Sequence, residues 1–415
     1  MGFQYALIKM QFVAVLVFRL ITKLDEFLVK IKTICGKRLC FEHKPIDFSR
    51  KKSYNLGEIK NKEVYLMRDF NYSLLKDLKW DLEIVSYLTA IHEVKGKQEL
   101  YLKQQPEKLN KLVEIAKVQS TESSNDIEGI RTTNTRLKQL LLDKTTPKNR
   151  DEEEIAGYRD VLNVIHESFE YIPMTANYIL QLHKILYSHS GKSIGGKFKN
   201  VQNYITLTEN GKESILFTPP APYETPEAID KICNEFNIAI SKCEVDPLIL
   251  IPIFIHDFLC IHPFSDGNGR MSRLLTTLLL YRNGYMVGKY ISLESKIAKN
   301  KNAYYDALEK AQAGWDEGNE DVIPFIKYLL STIIAAYRDF EDRMELVSES
   351  DSALDMVRKA VANKIGKFTK MDIVAMCPSL SNSSVESSLK KLAKEGYIEK
   401  KGASRATYYI KIEKI

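Results

Sequence analysis

Cysteine is scarce in this chain, and what there is lies scattered. The six cysteines, Cys35, Cys40, Cys233, Cys243, Cys260 and Cys377, form no CxxC pair and no Cys/His spacing of a zinc site. That excludes a disulfide-built scaffold and a zinc ribbon. The set reads as reduced thiols, which fits a cytoplasmic address. Long apolar runs are also missing. The apolar leader is cut by Lys9 and Arg19, leaving only Met10 to Phe18 uninterrupted, and no small-residue cleavage site follows. A bilayer span needs about 20 apolar residues, so neither a span nor a signal peptide is expected, and no membrane contact. Ala6 breaks the myristoylation pattern after Gly2. The net charge of +6 is too small to imply wholesale coating of nucleic acid. No GxxxxGK(S/T) loop and no internal repeat is present.

With 415 residues the chain exceeds one ordinary core, and at about 150 residues per domain it holds two or three units. Hydrophobic residues at 44% and charged residues at 27% are globular values, so these units can bury cores. Residues 1–66 form an atypical arm whose part from 36 onward is basic and linker-like, and Met67 is expected to be a natural start. A helical extension at 67–145 follows. Its first helix runs from Trp80 with a 3.6-residue apolar period and is expected to end at Gly96; its second opens at Pro106. A helical body at 146–347 has helices near 150–168, 175–188, 224–242, 300–315 and 321–346. Inside it, the stretch up to Pro220 alternates and turns at Glu209, Asn210 and Gly211, which predicts a β-hairpin on the surface. An acidic, serine-rich joint near 348–355 leads to a last module at 354–415.

The most apolar stretch, 246–282, is broken only by a loop at 263–269. There HPFSDGNGRMSR, residues 262–273, gathers a histidine, a carboxylate, glycines and two arginines. Gly267 and Gly269 let successive N–H groups converge, and a helix starting near Arg270 adds its positive end; together these make an anion cradle suited to phosphate. Arg270 and Arg273 share one face in a first turn, where the helix dipole disfavours cations unless an anion is bound. Asp266 beside phosphates is a good Mg²⁺ ligand. His262, at a helix end, is placed to take a proton. An EF-hand is excluded because Phe264 stands two before Asp266 and no Glu closes the loop.

These residues match the Fic family signature HPFx(D/E)GNGRxxR at every defined position, and residues from about 67 to 338 resemble a Fic-domain protein with a helical N-terminal extension. The resemblance implies a mainly α fold and AMPylation, the transfer of AMP from ATP to a Ser, Thr or Tyr hydroxyl of a target protein or of the chain itself. By the resemblance, His262 is the general base and Asp266 holds Mg²⁺ against the α- and β-phosphates. Asn268 with the amides of Gly267 to Gly269 forms the anion hole, Arg270 grips the β-phosphate and Arg273 the γ-phosphate. The hairpin is the flap that docks the target, and Tyr204 on it contacts the nucleotide. NKNAYYDAL resembles the family's NRxxYY segment, which makes Asn300 an adenine contact and Tyr304 a second candidate, with Lys301 where the family often has Arg.

Upstream, Ser124, Glu128 and Gly129 fit the family's inhibitory pattern (S/T)xxxE(G/N). Ser124 and Glu128 share one helical face, Gly129 ends the helix, and Glu128 projects from its end. The resemblance directs Glu128 to Arg273, in a bidentate pair that keeps the γ-phosphate out. In some relatives the same Glu supports AMP removal, so a de-AMPylating hydrolase stands as an alternative.

Residues 354–415 read as a winged helix, with helices near 354–365, 370–376 and 382–394 and a hairpin whose tip, 402–405, would be the wing. Ser381 to Ser383 are cap candidates. Lys390, Lys391, Lys394, Lys400, Lys401 and Arg405 could meet DNA phosphates, but Ser383, Ser384, Ser387 and Ser388 offer little base reading, and Glu386 and Glu395 dilute the charge. Contact with DNA, with protein, or with a second copy as a homodimer is left open, and the rival reading is a DNA-binding regulator with a nucleotide-sensing Fic site. UTP, GTP or CDP-choline remain alternative donors.

Overall fold

The computed structural model describes residues 68–412, apart from 69, 78, 105, 143, 210–211, 347–351, 365, 378–379 and 403–406. The arm at 1–66, the start at Met67, the hairpin tip and the tip of the expected wing lie outside or largely outside the described residues.

Helix α1, Leu82–Gln104, opens where Asp81 Oδ1 accepts the amide of Ile84 at 2.9 Å. It does not end at Gly96. A glycine inside a helix costs only about 1 kcal/mol, and packing against helix 323–346 outweighs it. Helix α2, Pro106–Ile127, follows, then the short α3, Asn134–Leu141, capped by Thr133. Helices α4, Arg150–Ser168, and α5, Ala176–Leu186, are capped by Asn149 and Thr175, whose side chains accept amides of the first turn. Strands β1, Ile205–Glu209, and β2, Lys212–Phe217, pair antiparallel with Glu209 opposite Lys212, and the register shifts between Ile205 and Thr206. Helix α6, Thr225–Lys242, precedes the apolar pair α7, Pro247–Ile261, and α8, Asn268–Arg282. Then come α9, Leu293–Lys299, α10, Lys301–Gln312, and α11, Ile323–Leu346.

Every side chain of α7 after Pro247 is buried, which is why its sequence is apolar on all faces. It packs between α6 and α8, and one continuous core runs from Phe70 to Met344 around this pair. The one carboxylate in α7, Asp257, is 1% exposed and is satisfied by Tyr72 Oη at 2.6 Å and Trp315 Nε1 at 2.7 Å. Burial raises its pKa against the pull of Arg68.

The last module holds α12, Ala353–Ala362, β3, Lys367–Phe368, α13, Lys370–Met376, α14, Asn382–Lys394, and strands β4, Ile398–Lys401, and β5, Tyr408–Lys411. Its antiparallel sheet runs β3-β5-β4, and Val357, Phe368, Ile373, Leu389 and Ile398 form a second core. No described helix is long and apolar enough to cross a membrane.

Candidate active site

Helix α7 stops because His262 turns left-handed, at φ 49° and ψ 60°, while its amide still reaches Phe258 O at 3.0 Å, and Pro263 cannot continue the helix. A non-glycine residue there is strained and persists only if its neighbours hold it. They do. Asn203 Nδ2 donates to His262 O at 3.0 Å and to Phe264 O at 3.1 Å. Lys199 Nζ donates to Ile261 O at 3.1 Å, and its backbone amide to Pro263 O at 2.8 Å. The imidazole Nδ1 donates to Leu259 O at 3.2 Å, which leaves Nε2 as the acceptor. Burial pulls the His262 pKa down to about 4, so the ring is in its basic form at neutral pH.

Gly267 caps α8 with φ 87°, a conformation that favours glycine, and a Cβ there would come within 3.1 Å of Tyr187 Oη. The Asn268 side chain serves the loop itself: Oδ1 accepts the Phe264 amide at 2.9 Å, and Nδ2 donates to Phe264 O at 2.7 Å. Asn268 therefore offers the cradle its backbone amide rather than its carboxamide. Arg270 is 1% exposed; its Nη1 lies 2.8 Å from Glu154 Oε2, and its Nη2 donates to Tyr187 Oη at 2.9 Å. Asp266 sits at the rim with Lys192 Nζ at 2.9 Å, Arg270 Nη2 at 3.6 Å and Arg150 Nη2 at 3.7 Å. Burial opposes its ionisation, but Lys192 and Arg270 outweigh that and hold its pKa below the usual carboxylate value. His183 Nδ1 accepts the Gly196 amide at 3.1 Å, so Nε2 donates to Asp266 O at 3.1 Å, and its ring stacks on Phe264 at 3.7 Å.

Helix α2 ends in a Schellman motif. The Ile130 amide returns to Asn125 O and the Gly129 amide to Asp126 O, both at 3.0 Å, with Gly129 at φ 78°. This turn delivers Glu128 to α8. Its Oε1 accepts from Arg273 Nη2 at 2.7 Å. The pair is not bidentate, because Arg273 shares its fork with Ser124: Nε donates to Ser124 Oγ at 2.8 Å and Nη2 to Ser124 O at 3.0 Å. A Cβ at Gly269 would collide with Glu128 Oε1, so the carboxylate lies on the first turn of α8, inside the anion cradle. Lys301 Nζ donates to Ile127 O at 2.5 Å and ties α10 to the end of α2.

Glu128, His262, Asp266, Gly267 to Arg270, Arg273 and Tyr304 all line one cavity of about 520 Å³, together with Ile205, Thr206 and Leu216 of the hairpin. Asn300 and Tyr204 do not line it: Asn300 is exposed at the α9–α10 joint, and Tyr204 is 49% exposed before β1. Of the NKNAYYDAL residues singled out from the sequence, the cavity takes Tyr304, which is 4% exposed. Sequence reasoning missed Arg150 and Glu154 on the cavity wall, and Tyr187 and Lys192 behind Arg270 and Asp266. Arg150 and Glu154 sit one turn apart on α4, whereas Tyr187 and Lys192 follow α5, and nothing in the sequence ties these two places to the signature loop.

The loop at 262–273 lies inside a segment that matches a known family. Residues 173–280 match the Fic/DOC family. Protein adenylyltransferase fic-1 of Caenorhabditis elegans is 25% identical over 52% of this chain and 40% of its own length, and protein adenylyltransferase Fic of Nematostella vectensis is 26% identical over 53% and 48%. The chain thus spans less than half the length of these curated relatives. Among solved structures, a Fic family protein from Desulfovibrio desulfuricans G20 superposes with a TM-score of 0.53 at 20% identity, covering 81% of this chain and 98% of that one. A Fic domain containing signaling protein from Bacteroides thetaiotaomicron does so with 0.52 at 25% identity, covering 65% and 99%. With its signature loop, its cradle and these relatives in agreement, the segment 173–280 is a domain of the Fic/DOC family.

Proposed function

We propose that the chain is a protein adenylyltransferase that moves AMP from ATP to a hydroxyl side chain of a target protein or of itself, restrained in cis by Glu128. The observation that carries this is the single cavity in which His262, with Nε2 open, faces a helix-terminal cradle already holding a carboxylate. His262 Nε2 takes the hydroxyl proton as the oxygen attacks the α-phosphorus. The bond to the β-phosphate breaks, and pyrophosphate leaves with the charge that the α8 amides, Arg270 and Arg273 are placed to receive. Asp266 fits Mg²⁺: it is ionised, 36% exposed at the rim, and no group of three metal-ligating side chains converges among the described residues. The ion would therefore rest on this carboxylate and phosphate oxygens, and when bound it supplies charge neutralisation of the polyphosphate.

Glu128 occupies the place at Arg273 that a γ-phosphate needs, so ATP binds productively only when α2 releases it. Because Glu128 and His262 line the same cavity, hydrolytic removal of AMP from a modified protein is a second reading of the same site. The last module we read as a winged helix; Glu386 already pairs with Lys390 at 3.0 Å and Lys370 at 3.3 Å, which favours protein contact over DNA.

The test is incorporation of AMP from α-³²P-ATP with Mg²⁺ into the purified chain and a lysate. Labelling should rise in Glu128→Gly and vanish when His262→Ala is added. Absence of label in all three forms, with ATP binding intact, would overturn the transferase reading.

A further inference from the structure

A second cavity, of about 230 Å³, lies where the last module meets the helical body. Its walls come from α2 through Gln119, from α9 through Ser295, Lys296 and Lys299, from α11 through Asp339, Asp342 and Arg343, from the turn after α12 through Lys364, and from α13 through Asp372. Arg343 is 7% exposed, and its Nη1 has no hydrogen-bond partner. A buried guanidinium with an unmade bond is costly, and such a group in a native structure calls for an explanation. The three neighbouring carboxylates, Asp339, Asp342 and Asp372, are already engaged. Asp339 takes Lys296 at 2.7 Å, and Asp372 closes a capping box on α13, accepting the Thr369 amide at 2.7 Å and its hydroxyl at 2.9 Å. Lys299 and Lys364 line the same cavity; neither closes to an ion pair among the described residues, though both, after the hydrogen bonds from Thr369, help to pull the pKa of Asp372 down.

We infer that this junction is a binding site for a small phosphate-bearing anion, held by Arg343, Lys299 and Lys364. A planar guanidinium with two mobile ammonium groups is the donor set that phosphate oxygens require, and a tetrahedral anion can bridge the body and the module by taking donors from both. The site also touches the helix that carries Glu128, through Gln119. From its other wall α9 runs to Asn300 and on to α10, whose Lys301 grips Ile127 O. A bound anion would stiffen both supports of the inhibitory turn. That regulatory consequence rests on the transferase reading, whereas the binding itself does not.

The experiment is calorimetric titration of the full chain with inorganic phosphate. The forms compared are wild type, the Lys299→Ala/Lys364→Ala double variant, and Arg273→Ala, which removes the cradle arginine. If Arg273→Ala does not fold, Arg273→Met, which keeps the length of the buried side chain, replaces it. The two lysines are exposed and half-buried, so the double variant should keep its fold, as circular dichroism would show. Phosphate binding should survive loss of the cradle and weaken at least about tenfold in the double variant, the effect of removing about one charge-assisted bond. Identical isotherms in wild type and the double variant would overturn the proposal, as would loss of all phosphate binding once the cradle is lost. So would a double variant that loses affinity for duplex DNA while its phosphate isotherm stays unchanged.

Discussion

Replacing Glu128 by Gly removes one carboxylate from two places at once, from Arg273 Nη2 at 2.7 Å and from the first turn of α8. A charge-assisted hydrogen bond contributes about 1.5–3 kcal/mol, and an anion at a helix N-terminus about 0.3–1 kcal/mol. Arg273 is 4% exposed, but the Glu128 side chain is 33% exposed, so solvent reduces the sum to about 2 kcal/mol. ATP must displace that interaction before its γ-phosphate meets Arg273. Its removal should therefore raise productive binding about 30-fold at subsaturating ATP. The cradle itself should survive, because Arg273 keeps both bonds to Ser124. Glu128→Gln keeps the shape and an acceptor but not the charge, so it should fall between the two; Glu128→Ala separates the effect of the carboxylate from that of a second glycine at the helix end. The assay is the initial rate of self-labelling from α-³²P-ATP with Mg²⁺, alongside ATP affinity by calorimetry. Equal rates and equal affinities across all four forms would refute the claim that this carboxylate and ATP compete for Arg273.

What the sequence made legible was what it encodes locally. Helices α4, α6, α13 and α14 begin within a residue or two of their expected positions; in α4, α13 and α14, Asn149, Thr369 and Ser381 cap their own next turn, and α6 opens on its threonine-proline start. The anion cradle was legible for the same reason: from His262 to Arg273 its parts are neighbours in the chain. Other features depend on what packs against what. Gly96 reads as a stop, yet α1 continues because the helix packs against α11. Asn268 and Arg270 carry signature side chains, but one is consumed in holding Phe264 and the other is balanced by Glu154, which lies more than a hundred residues upstream. Asn300 and Tyr304 stand one turn apart, and only the fold turns the tyrosine into the cavity and the asparagine outward.

Lys301→Met should remove the anchor of α10 on the end of α2, a loss of about 1 kcal/mol, and raise labelling several-fold but less than Glu128→Gly; labelling at or below the wild-type rate would show that the anchor does not hold Glu128 in place. Chelation of Mg²⁺ by EDTA, and separately Asp266→Asn, should each abolish labelling; the folded state should persist in both, read by circular dichroism, since Asp266 is a rim residue. Acid should destabilise the fold through its buried histidines. Burial holds the pKa of His166 at about 3 and those of His183 and His256 at about 4, all below the ordinary value of 6.5. Between pH 6.5 and 4 the unfolded chain thus binds protons that the folded chain refuses, so stability is present above that window and is lost as pH falls through it, with a slope of up to about 1.4 kcal/mol per pH unit for each ring. Tm should accordingly drop steeply from pH 6.5 to 4.5. His166→Phe should flatten that slope, because His166 makes one bond, with Tyr281 Oη at 3.2 Å, and its buried Nδ1 has no partner to lose. A wild-type Tm that holds level across this range would mean that these rings accept protons in place, and the burial argument for the neutral His262 would fall with it.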